Sequence, residues 1–66
     1  MEFNRNALKL AMAEKCFTIA ELSKRSGIGS DTIAKILNSD RMPNISTIGK
    51  LAKALGIQPK GLMREE

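Results

Sequence analysis

The chain has 66 residues, a formal net charge of +4 from eleven Lys and Arg against seven Asp and Glu, no His, Trp or Tyr, and one Cys. That length makes one domain at most, with a core of about 3–5 kcal/mol net stability and little room for a substrate pocket. A disulfide framework and a Cys/His zinc site are excluded within one chain, and Cys16 has no imidazole to activate it as a nucleophile.

Cys16 is therefore expected to be a small, partly buried residue in a reducing compartment. No metal, cofactor or small-molecule ligand is expected, and no catalytic residue. The charge is unevenly spread. Glu2, Glu65 and Glu66 lie at the ends, so residues 3–64 hold eleven cations and four acids, a formal +7. Such a body favours a polyanionic partner. No apolar run approaches the roughly 18 residues that span a bilayer. The polar start MEFNRNALK is not a secretory signal, so a cytoplasmic location is expected.

Apolar residues recur at helical spacing, and no stretch alternates with period two long enough to predict a strand. The first helix is expected from about Asn4 to Lys15, with Leu8, Ala11, Met12 and Cys16 on its buried side. The second begins at the Thr18 cap. Glu21 stands where it would close a capping box, and Phe17 and Leu22 where they would form a hydrophobic staple. Gly27 ends this helix through its tolerance of a left-handed backbone. The third helix starts at Gly29 or Ser30 and runs to about Asn38, burying Ile33, Ile36 and Leu37.

SDRMPN then reads as a turn that Pro43 closes. The fourth helix is capped by Asn44 or Ser46 and ends at Gly56, with Ile45, Ile48, Leu51, Ala52 and Leu55 as its stripe. Gly49 inside it costs about 1 kcal/mol relative to Ala, which a closely approaching helix would justify. Pro59 suits the start of a short fifth helix carrying Leu62 and Met63. The expected fold is all-α, a compact five-helix bundle occupying residues 1–66 as a single domain with its core at about 4–64.

The third helix carries the functional signal. At 100 degrees per residue from Ser30, the apolar side centres near 290 degrees and the opposite side near 110 degrees. That opposite side holds Asp31, Ala34, Lys35 and Asn38, flanked by Ser30 and Thr32. It presents a carboxylate, an ammonium, an amide and two hydroxyls, the groups that reach base edges in a DNA major groove. The bland alternative is a solvated helix face, with Asp31 complementing the helix dipole. Two short helices joined by the Gly27-Ile28-Gly29 turn, on a basic body, favour the first reading.

The segments MAEKCFTIAELS, GIGSDTIAKILN and MPNISTIGKLAKALGI, in this order and spacing, resemble the lambda repressor and Cro-like helix-turn-helix domains. The resemblance covers roughly Leu8 to Leu62. It implies a five-helix DNA-binding domain whose third helix enters the major groove. Ser30, Asp31 and Lys35 then stand at base-reading positions, with Thr32 and Asn38 at the margins. Thr18, Gly29, Asn38, Arg41, Asn44 and Thr47 are the expected backbone contacts, where helix starts and the loop after the third helix meet phosphates. Lys24, Arg25, Lys50 and Lys53 are less specific phosphate candidates.

The chain departs from the family pattern at several points. Ile19 replaces a Gln whose amide meets a phosphate. Ser39 stands where Gly often ends the third helix. Met12 and Leu37 replace an Arg–Glu ion pair and are expected to touch, an exchange that is neutral or stabilising in other proteins.

The expected function is a sequence-specific double-stranded DNA-binding transcriptional regulator, a small repressor occupying a palindromic operator as a homodimer. One such domain reads only about four to six base pairs, and dimers bind half-sites about one helical turn apart. Leu62 and Met63 are the expected interface anchors. The alternative is an antitoxin-like or other protein-interaction module on the same fold; it ranks second because antitoxins carry an extra partner-binding segment and this chain stops at about residue 64.

Overall fold

The structure, a computed structural model, describes residues 2–38 and 42–64. In chain order it contains β1 (Glu2–Phe3), α1 (Arg5–Lys15), α2 (Ile19–Ser26), α3 (Ser30–Asn38), α4 (Ile45–Leu55), a 3₁₀ turn over Pro59–Leu62, and β2 (Met63–Arg64).

Local chemistry sets each boundary. Asn4 caps α1, its side-chain oxygen accepting from the Ala7 N–H at 3.1 Å. At the other end Cys16 takes a left-handed backbone with φ 58°. The Phe17 N–H then reaches back to the Met12 carbonyl at 2.9 Å, satisfying a carbonyl of the last turn. Thr18 caps α2 by accepting from the Glu21 N–H at 3.1 Å. The Glu21 carboxylate turns instead to Arg25, accepting from its Nε at 3.1 Å. The Arg25 guanidinium also lies 4.8 Å from the centre of the Phe17 ring. Gly27, at φ 75°, ends α2, its N–H donating to the Ser23 carbonyl at 2.9 Å.

Asn44 caps α4. Its Oδ1 accepts from the Thr47 N–H at 2.8 Å and from the Ser46 hydroxyl at 3.0 Å, so the two candidate caps act together.

The four helices close on one core. Leu8, Leu22, Ile33, Leu51, Leu55 and Leu62 are its largest fully buried side chains, and Met12, Ile28, Ile36, Ile48 and Ala52 complete it. Each buried aliphatic of this size contributes about 1.5–3 kcal/mol. Met12 lies inside this cluster and Leu37 packs against it from its edge. A directed contact crosses the same interface, since Arg5 Nε donates to the Ile36 carbonyl at 2.5 Å.

Several expectations are corrected. Among the described residues there are four α-helices, not five. The expected fifth is a single 3₁₀ turn, because Gly61 weakens helix propagation and Met63 is already extended. Two strands also form that no periodicity announced. β1 and β2 pair antiparallel, with Glu2 opposite Arg64 and Phe3 opposite Met63. Two residues are too few to make an alternation. Cys16 is exposed rather than partly buried, because it stands past the end of α1 where its backbone turns left. Ile45 is 86% exposed and leaves the stripe of α4, its place in the first turn facing it outward. Among the described residues no helix approaches Gly49 closely, as a Cβ built there meets nothing within 4 Å.

Candidate nucleic-acid interface

The α2–α3 turn is held from within. The Ser23 hydroxyl donates to the Ile28 carbonyl at 2.5 Å, and the Ile28 N–H donates to Ser26 Oγ at 3.2 Å. The Ile28 side chain is buried in the core and anchors the turn. Of the two turn glycines only Gly27 needs its conformational freedom. Gly29 has no left-handed backbone, and a Cβ there would meet only Thr32 Oγ1, at 3.9 Å. The Gly29 carbonyl accepts from the Ile33 N–H at 3.1 Å, so α3 starts its hydrogen-bond ladder at Gly29. The N–H groups of its first turn are left directed outward.

The faces of α3 are sharply divided. Ile33 and Ile36 are buried, and Ala34 and Leu37 are half-buried. Ser30, Asp31, Thr32, Lys35 and Asn38 are all exposed. The side chains singled out from the sequence therefore share one accessible side of a helix fixed by its opposite side.

That side continues onto α4. Thr32, Lys35, Ile36, Met42, Pro43, Asn44 and Thr47 line one open groove between α3 and the start of α4. It gathers two expected base contacts, Thr32 and Lys35, with two expected backbone contacts, Asn44 and Thr47. Thr18, Gly29, Ser30, Asp31 and Asn38 are not among its lining residues. Thr18 is exposed at the start of α2 with its oxygen engaged in capping. Arg41 lies outside the described residues. Met42 and Pro43 also line the groove, and neither was singled out as a contact. Pro43 was legible only as a turn, and nothing in the sequence around Met42 marked it.

A second, cationic groove is lined by Arg25, Ser26, Lys50, Lys53 and Ala54, where α2 meets α4. Leu62 is fully buried in the core, so it is not available as an interface anchor. Met63 is half-buried and lines an apolar groove with Met42, Ile45, Ile48, Gly49, Pro59 and Lys60. Among the described residues no helix is long and apolar enough to cross a membrane.

A helix-turn-helix family model matches residues 7–62, and the chain belongs to this lambda repressor/Cro-like helix-turn-helix family. The family is one of DNA-binding regulator domains, and the mostly helical fold agrees with it. A search of curated proteins finds no match. Among solved structures the chain is similar to part of Streptomyces albus HEPD, solved with 2-hydroxyethylphosphonate and Fe(II) bound. The TM-score is 0.83 and the identity 29%, over 89% of this chain. The match spans only 13% of the HEPD chain.

Proposed function

We propose that the chain is a repressor domain that binds a palindromic operator as a homodimer, with α2 and α3 as its helix-turn-helix. The observation that carries this reading is the groove in which Thr32 and Lys35 of α3 adjoin Asn44 and Thr47 of α4. One wall offers groups that discriminate bases, and the other offers a helix start that accepts a phosphate. Ser30, Asp31 and Lys35 read base edges with Thr32 beside them. Thr18, Gly29, Asn38 and Arg41 join Asn44 and Thr47 along the backbone.

In the dimer the contact is made through Met63 and the exposed apolar residues that share its groove, Met42 and Ile45. A second copy on the adjacent half-site doubles the length of sequence read. A cytoplasmic location suits such a repressor.

The test begins with duplexes selected by the protein from a random-sequence pool. Affinity for a selected and a random duplex is measured over a salt series. Both should weaken steeply with salt, as phosphate contacts require. Lys35→Ala and Asp31→Ala should change the preference between the duplexes, whereas Thr47→Ala should weaken both alike. Equal, weak binding to every duplex would overturn the reading.

A further inference from the structure

Arg5 is the first residue of α1, directly after the Asn4 cap. A cation is poorly placed there, because the unpaired N–H groups of a helix start carry partial positive charge. The first turn of α1 holds no acid to offset it. The side chain instead crosses to α3, where Nε donates to the Ile36 carbonyl, thirty-one residues away. Ile36 lies in the last turn of α3, whose carbonyls lack partners within the helix and carry partial negative charge. The guanidinium thus spans from a helix end that repels it to one that attracts it.

The root of Arg5 is itself held. The Asn4 N–H donates to the Leu62 carbonyl at 2.6 Å, and just before it Phe3 pairs with Met63 between the two strands. The far end of the contact is close to the groove, since Ile36 lines it beside Thr32 and Lys35. Apolar packing also joins these helices to the core, with Met12 inside the buried cluster and Leu37 packed against it. Such packing brings helices together but is non-directional, whereas a hydrogen bond to one carbonyl selects a rotation.

We propose that Arg5 is a positioning residue for DNA readout, one that fixes the rotation and tilt of α3 against α1 and thereby the base edges that Lys35 reaches. This rests on the reading of α3 as the recognition helix. Arg5 touches no base in this role.

Two experiments test it on Arg5→Met, which removes the donor, and Arg5→Lys, which keeps the charge and a donor. First, in the free protein, NMR should show the Ile36–Asn38 amide resonances and the α1–α3 Overhauser contacts shifted in Arg5→Met and largely restored in Arg5→Lys. Unchanged α3 resonances in Arg5→Met would overturn the proposal without any DNA. Second, at a temperature where all variants are folded, Arg5→Met should lower the ratio of selected-duplex to random-duplex affinity about tenfold. The salt slope on random duplex should stay as in the parent, and Arg5→Lys should recover most of the ratio. A ratio unchanged in Arg5→Met, or a salt slope reduced by about one on both duplexes, would overturn the positioning role; the latter marks a direct phosphate contact. If the parent protein itself prefers no duplex, the DNA-reading proposal fails instead, and the clamp on α3 is decided by the NMR comparison alone.

Discussion

The Ser23 hydroxyl and the Ile28 carbonyl, 2.5 Å apart, tie the body of α2 to the middle of the turn that leads into α3. Ser23 is half-buried and Ile28 buried, so the carbonyl has little access to water once its partner is lost. Ser23→Ala should therefore destabilise the fold by about 1–3 kcal/mol, the cost of a buried acceptor left unpaired. Urea unfolding checks this, and an unchanged midpoint would show that the hydroxyl is dispensable.

Cys16 is the one non-glycine residue with positive φ among the described residues. A left-handed backbone costs an ordinary side chain about 1–2 kcal/mol, which glycine avoids. Glycine also loses more freedom on folding, so Cys16→Gly should gain only part of that, about 0.5–1 kcal/mol. Thermal unfolding reads the change. A loss of stability would mean that the exposed thiol side chain makes a contact worth more than the strain.

Gly49 separates stability from association. Nothing stands within 4 Å of a Cβ built there, and the backbone is helical, so Gly49→Ala should stabilise the folded monomer by about 1 kcal/mol. Gly49 also lines the apolar groove beside Ile45 and Met63. If a second copy seats there, the same substitution should weaken dimerisation while raising the melting temperature. Sedimentation at graded concentrations, with and without a selected duplex, measures the first effect and calorimetry the second. Stronger association in the variant would move the dimer contact elsewhere.

Asn44 serves the fold and, on the reading proposed here, the DNA. Losing the cap in Asn44→Ala should cost about 1 kcal/mol. Asn44→Asp keeps the oxygen that accepts from Thr47 and adds a negative charge at the groove. It should hold most of the stability and yet weaken binding to selected and random duplexes alike. Equal DNA affinity for Asn44→Asp and the parent would remove Asn44 from the phosphate contacts.

What the sequence made legible follows the range of the interactions. The caps at Thr18 and Asn44 and the stop at Gly27 are local, decided within four residues, and each stands where the residue types place it. The division of α3 into buried Ile33 and Ile36 and exposed Asp31, Lys35 and Asn38 follows from helical geometry alone. The pairing of Phe3 with Met63 was illegible, because neither strand is long enough to alternate and their partnership joins opposite ends of the chain. Arg5 was equally silent, as its acceptor is a backbone carbonyl that any residue supplies. Ile45 misled because periodicity assigns a face to the whole helix, whereas the first turn of α4 projects beyond the core. Leu62 misled for the opposite reason, since a residue near the chain end is drawn wholly inside by the 3₁₀ turn.

The pairing of Glu2 with Arg64 also has a kinetic side. It closes a loop of nearly the whole chain, the costliest closure in entropy that this molecule makes. The helices, built on contacts near in sequence, have no need to wait for it. The terminal strands should therefore assemble last and open first, with amide protons that exchange by local fraying while those of α2 and α4 exchange only on global unfolding. Each such opening frees the backbone just ahead of Arg5. The end of α3 is then tethered, through Arg5, to the joint in its frame that opens first.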